Sequence, residues 1–203
     1  MGFRRIDCWP TRVLAIVRSA IVAGLGAVAG STADDVAAAD AFWADASKTL
    51  AGAPPEFGIS KFNRDGQYER EAIWPIADSL GIVGTGQLRF VVRPGLHLGP
   101  SISVIFNRQA LARLDFVPPN ECEPNPLWAG SQGLPPEVCG PHFHDWQHNR
   151  LHVLKHDRWE LPCREALPPQ VRRFEQALPW LAARLNLVLT AEQRSFDVPK
   201  ELV

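Results

Sequence analysis

The chain is predicted to be an α+β protein: an antiparallel meander of about four or five strands packed against an N-terminal and a C-terminal helix. Three observations predict this. Apolar residues recur at helical spacing near both ends of the chain. Short apolar runs bounded by Gly, Pro and Asn fill the middle. Strands and helices do not alternate regularly, which argues against a parallel βαβ arrangement. With 203 residues, 46% hydrophobic and 21% charged, the chain can bury a sizeable core, and its composition argues against global disorder.

The first helix is predicted over 35–50. Val36, Ala39, Phe42, Trp43, Ala46 and Leu50 recur at helical spacing, and Gly52-Ala53-Pro54-Pro55 ends the segment. A hairpin follows, in which Phe57 to Phe62 turns at Asn63-Arg64-Asp65-Gly66 and returns as Tyr68 to Pro75. Gln87 to Arg93 and Ser101 to Phe106 are short apolar runs, and Ala110 to Val117 alternates well enough to pair with the latter across Asn107-Arg108-Gln109. The chain carries 18 prolines; those clustered at 118–141 and 162–169 predict ordered loops. Pro141 restrains the backbone before His142, so 142–154 is expected to be extended at its start. The last helix begins near Pro169 and carries Val171, Phe174, Leu178, Leu181, Leu185 and Leu187, with a kink expected at Pro179.

Residues 1–33 form a leader or N-terminal extension, and 35–203 a single domain. Arg4, Arg5 and Arg12 precede an apolar stretch from Val13 to Ala29 that ends in Ala27-Val28-Ala29, a layout resembling a secretory signal. Arg18 interrupts that stretch, and the apolar blocks around it are too short to span a bilayer, so no stable membrane insertion is expected. The extension reading goes with a cytoplasmic protein, and the signal reading with an exported one. Lys plus Arg number 21 against 22 acidic residues, so no net field draws the chain onto nucleic acid or anionic lipid. Of the four cysteines, Cys8 lies in the leader. The three others, Cys122, Cys139 and Cys163, are an odd number, which argues against a disulfide framework. Cys122 and Cys139 with His142 and His144 offer a four-ligand zinc set.

The densest chemistry is Gly140-Pro141-His142-Phe143-His144-Asp145-Trp146-Gln147-His148-Asn149-Arg150. On a strand His142 and His144 share one face; His144, His148, His152 and His156 recur every fourth residue and would share a helical stripe instead, so the pattern alone does not choose. Several readings fit. In one, the histidines are a solvated surface feature. In a second, His142 and His144 act as acid and base on a phosphodiester, Asp115 orients them, and Arg113 and Arg150 hold the phosphate. His148, Asn149 and Trp146 are further candidate binding residues. That chemistry needs no cofactor. A third reading is a divalent metal site drawing on His142, His144, Asp145 or His97. A fourth is a non-catalytic protein-binding module in which tryptophans such as Trp128, in the 118–141 loop, recognise a partner.

The order Ser101–Phe106, Leu111-Ala112-Arg113-Leu114-Asp115, Asn120 and Gly140-Pro141-His142-Phe143-His144 resembles the TumE-like toxins of bacterial toxin–antitoxin pairs, in which an Arg-x-Asp strand precedes an H-x-H segment. The similarity spans about a quarter of the chain. It implies a small α+β protein acting on RNA as a ribonuclease beside an antitoxin partner, with Arg113, Asp115, His142 and His144 as functional residues. Two features depart from that family: Asp115 is followed by Phe116-Val117-Pro118-Pro119-Asn120 rather than by histidines, and 118–139 reads as an insertion.

Overall fold

The computed structural model describes residues 32–62, 68–94, 99–171 and 173–198, all within one compact unit spanning 31–203. The expectations for the 1–33 leader therefore fall, apart from its last two residues, outside the described residues, as do those for the 63–66 turn and His97.

Helix α1 (Thr32–Ala44) leads into a short strand β1 (Lys48–Leu50). The predicted helix ran on to residue 50, but Ser47 turns the backbone with φ 62°, and Lys48 caps the helix end by donating to the carbonyls of Trp43 and Asp45. A meander follows: β2 (Gly58–Phe62), β3 (Tyr68–Ala77), β4 (Val83–Val92), β5 (Ser101–Phe106) and β6 (Gln109–Asp115). The predicted strands fall inside or beside these bounds. The hairpin β7 (Cys122–Pro124) and β8 (Glu137–Cys139) brackets a 3₁₀ helix at Leu127–Gln132 and precedes β9 (His142–His144) and α2 (Trp146–His156). Then come β10 (Glu165–Ala166), α3 (Phe174–Arg184), β11 (Leu187–Val188) and α4 (Ala191–Arg194).

The sheet is larger than the sequence suggests. Nine strands join in one sheet, eight of them in the order β10-β9-β6-β5-β4-β3-β1-β11 with β2 beside β3, and β7–β8 form a separate pair. All of its pairings are antiparallel except β1 with β11. The estimate of four or five strands counted the central meander and missed flanking strands of two or three residues, too short to show a period.

Strand register separates two faces. Trp74, Leu88, Val104 and Ala112 lie side by side across the sheet, and so do Ala72, Phe90, Ile102, Leu114 and Phe143; all are buried. Val36, Ala39 and Trp43 of α1 and Phe174, Leu178 and Leu181 of α3 belong to the same core. Phe174 meets Phe90 edge-on at 5.9 Å, and Trp180 meets Phe143 at 5.0 Å. A Cβ at Gly86 in β4 would lie 2.5 Å from the Phe42 ring, so a larger residue there must displace that ring. The other side of the same strands carries Arg89, Ser103, Arg113 and His144 in one row and Val91, Ser101, Asp115 and His142 in the next.

Other expectations are settled by the second half of the chain. The segment from 142 is extended at its start, as expected, over β9, and the choice the histidine pattern left open falls to a helix after His144, which Asp145 caps by accepting from the Gln147 N–H at 2.8 Å. It ends where Asp157 turns left-handed at φ 54° and its N–H returns to the Val153 carbonyl. The cysteine parity also misleads: Cys122 and Cys139, facing each other across the β7–β8 pair, form a disulfide, and Cys163 is the buried free thiol. That bond removes both sulfurs from the four-ligand zinc set. The last helix starts at Phe174, later than predicted, and Pro179 lies inside it. Among the described residues, no helix is long and apolar enough to cross a membrane.

Candidate functional site

Pairing of β6 with β9 sets Arg113 opposite His144 and Asp115 opposite His142. Because each pair of residues is two apart on its strand, all four side chains project from the same side of the sheet. Leu114 and Phe143, between them, point into the core. The four predicted catalytic residues are therefore brought together, and the alternation of β6 and β9 accounts for it.

Asp115 Oδ2 is the point of convergence. Arg113 Nε donates to it at 2.6 Å, His144 Nε2 lies 3.5 Å away, and His142 Nε2 lies 3.7 Å away. The histidine side chains are almost sealed, at 1% and 3% exposure, whereas Arg113 is 47% exposed. The site therefore opens along the arginine.

Each imidazole is fixed from behind. His142 Nδ1 is 2.9 Å from the Gly140 carbonyl, and His144 Nδ1 is 2.6 Å from the Leu161 carbonyl. A carbonyl only accepts, so both Nδ1 atoms carry the proton, and in the neutral rings both Nε2 atoms present lone pairs. Neither Nε2, although buried, has a hydrogen-bond partner. Two nitrogen lone pairs and a carboxylate thus face one another, and each orphaned buried acceptor costs about 1–3 kcal/mol.

Electrostatics favour an ionised Asp115 and a neutral His142. Burial works to raise the Asp115 carboxyl, and the Arg113 guanidinium, bonded to it at 2.6 Å, works the other way and helps hold the group below its ordinary value. Burial pushes His142 down, only partly opposed by its bond to Gly140, and so favours the neutral ring.

The backbone behind the rings is itself pinned. Gly140 has φ 76°, and its N–H donates to the Glu121 carbonyl at 2.8 Å, next to the Cys122–Cys139 disulfide. The Leu161 segment is held by two asparagines. Asn149 Nδ2 donates to the carbonyls of Asp145 and Cys163, and its Oδ1 accepts from the Cys163 N–H. Asn125 treats Arg164 the same way.

The remaining predicted residues play other parts. Asp145 caps α2 and pairs with Arg184 at 3.2 Å. Trp146 and Arg150 both bind Asp40 of α1, so Arg150 is tied to a carboxylate rather than offered to phosphate. His148 Nδ1 contacts Gln132 at 3.1 Å, and its Nε2 lies 3.9 Å from Glu165. Asn149 is fully buried. None of these side chains is among those converging on Asp115. Sequence reasoning missed the carbonyls of Gly140 and Leu161; the Gly-Pro step before His142 was the one available signal, and nothing in the sequence marks Leu161.

The ligand set Asp115, His142 and His144, with ligand atoms all within 4.8 Å of one another, suits a divalent ion. Tetrahedral zinc with bonds of about 2.0–2.1 Å separates its ligands by about 3.3–3.4 Å; the two histidine–carboxylate distances, 3.5 and 3.7 Å, are within tenths of an ångström of that, and the imidazole–imidazole edge is within 4.8 Å. Imidazoles whose Nδ1–H is anchored on a carbonyl are the usual outer support for such ligands. No protein-family model matches the chain, and no curated protein and no solved structure matches it either.

Proposed function

We propose that the protein is a hydrolase dependent on a divalent metal and acting on an anionic ester, with Asp115, His142 and His144 as the metal's ligands. The observation that carries this reading is the pair of buried, unpartnered Nε2 atoms aimed at one carboxylate. Asp115, His142 and His144 would hold the ion with three protein ligands, the number catalytic rather than structural sites use, and the ion would supply Lewis-acid chemistry and activate water. Arg113, whose Nε donates to Asp115, is the exposed cation of the cluster and is suited to an anionic oxygen of the substrate.

Phosphodiesters fit this charge pattern, and the TumE-like resemblance makes RNA the first substrate to try and an antitoxin the first partner to seek. A metal-free mechanism, in which His142 and His144 exchange protons with substrate, is less well supported. A general acid must reach its substrate, and these rings are nearly sealed. The disulfide favours an oxidising compartment, which supports the exported alternative for the leader over the cytoplasmic one and fits poorly with a cytoplasmic antitoxin.

The test is hydrolysis of bis(p-nitrophenyl) phosphate and of a mixed RNA by the full chain, with added zinc or manganese and with EDTA. Activity that requires metal and disappears in the His142→Ala/His144→Ala variant supports the proposal. Cleavage that survives EDTA returns the argument to metal-free histidine chemistry. Binding of metal without turnover of either substrate would reduce the proposal to a metal-binding protein.

A further inference from the structure

The histidine stripe continues past the site just described. We propose that His152 and His156, with Glu160 just beyond the helix, form a second cation site at the end of α2, suited to late first-row divalent ions such as zinc or nickel. The two histidines stand one turn apart on one helix face, with ring centroids 4.6 Å apart and tilted by 38°. Both ring nitrogens of His152 are shielded from solvent and have no hydrogen-bond partner. A neutral imidazole always carries one N–H and one lone pair, so either tautomer leaves a donor and an acceptor unmatched, at about 1–3 kcal/mol apiece.

The surroundings fix this ring without satisfying it. Trp128, from the 3₁₀ helix, stacks on His152 with ring centroids 5.9 Å apart and planes within 10°. Glu160 Oε2 lies 3.7 Å from His152 Nε2, and its side chain is 61% exposed. His156 is exposed as well. His152 is thus held in place; the ligand atoms of the three residues are not yet all within 4.8 Å of one another, and the exposed His156 and Glu160 side chains would turn to reach a shared ion. Two imidazoles and a carboxylate form the donor set that late divalent ions of the Irving–Williams series take most readily. A proton on His152 in place of the ion would create two donors, with one carboxylate, Glu160, nearby.

Isothermal titration of the full chain with zinc, without reductant so that the disulfide stays closed, tests this. His156 is chosen for substitution because it is exposed at the helix end, and circular dichroism checks the fold. The wild type is expected to bind two equivalents. The His142→Ala/His144→Ala variant should keep one of them, and His156→Ala should weaken that same one by about a hundredfold, as the second tooth of a chelate is lost. A single equivalent in the wild type that survives in His142→Ala/His144→Ala would count against the Asp115 centre and leave this site standing. The proposal is overturned if the wild type binds no equivalent that survives in His142→Ala/His144→Ala, or if His156→Ala binds zinc as the wild type does.

Discussion

Replacing Asn149 with alanine tests how the fold holds the site. The side chain is fully buried and makes three hydrogen bonds, of 2.8, 3.0 and 2.8 Å, to the Asp145 carbonyl and to the carbonyl and N–H of Cys163. At about 0.5–1.5 kcal/mol each, three bonds total about 1.5–4.5 kcal/mol. The Cys163 peptide groups left behind are buried, which places the expected loss near the middle of that range, about 3 kcal/mol. For a domain of this size that lowers Tm by about 6–12 °C. Against a typical stability of about 5–15 kcal/mol, the variant still folds. Urea titration monitored by tryptophan fluorescence measures the change. Because Cys163 lies two residues after the carbonyl that anchors His144, zinc affinity at the Asp115 centre should fall as well. A stability change under about 1 kcal/mol, together with unaltered zinc affinity, would refute the view that Asn149 pins the Leu161 segment.

Other predictions concern separate parts of the molecule. Burial works to raise the Asp40 carboxyl, but its bonds from Arg150 and Trp146 outweigh it and leave the group below its ordinary value. Its contribution to stability is therefore complete above the ordinary carboxylate value and disappears as pH falls through the lower folded one. The pair is more than a third exposed, so a double-mutant cycle of Asp40→Asn and Arg150→Ala should give about 0–1 kcal/mol at neutral pH and nothing measurable in strong acid. Burial pushes the Cys163 thiol up to about 11, so at pH 8 only about one molecule in a thousand carries the thiolate. Peptide mapping after iodoacetamide treatment should find Cys163 unmodified in the native protein and labelled in urea. Gly140→Ala should cost about 1–2 kcal/mol, since a Cβ at φ 76° is strained. It would also lie 3.2 Å from Pro119 Cα, displacing the carbonyl that anchors His142; zinc affinity in the variant is the readout.

The central strands and the convergence of Arg113, Asp115, His142 and His144 were legible because alternation on a strand fixes which side chains share a face. Each of those pairs is two residues apart, and the antiparallel partner supplies the rest. The helix after His144 was not legible, because its mean propensity is poor and its start depends on one cap, Asp145. The outer strands β1, β10 and β11 are too short to carry a period. The contacts that fix the site's surroundings are long-range in sequence: Asp40 meets Arg150 across 110 residues, and Asn125 meets Arg164 across 39. No local pattern encodes such pairs. The disulfide was hidden for a related reason, since an odd number of cysteines is compatible with one bond and one buried thiol, and only the β7–β8 pairing selects Cys122 and Cys139.

The central claim is that His142 and His144 hold neutral rings with Nδ1 protonated and Nε2 free for a metal. Long-range proton–nitrogen correlation spectra of the histidine side chains at neutral pH, before and after zinc, test it most directly. The account predicts that both rings start as the neutral Nδ1–H tautomer and that zinc shifts their Nε2 signals while Nδ1 stays protonated. Rings protonated on both nitrogens at neutral pH, with spectra unchanged by zinc, would contradict it and identify the cluster as an imidazolium–carboxylate pair.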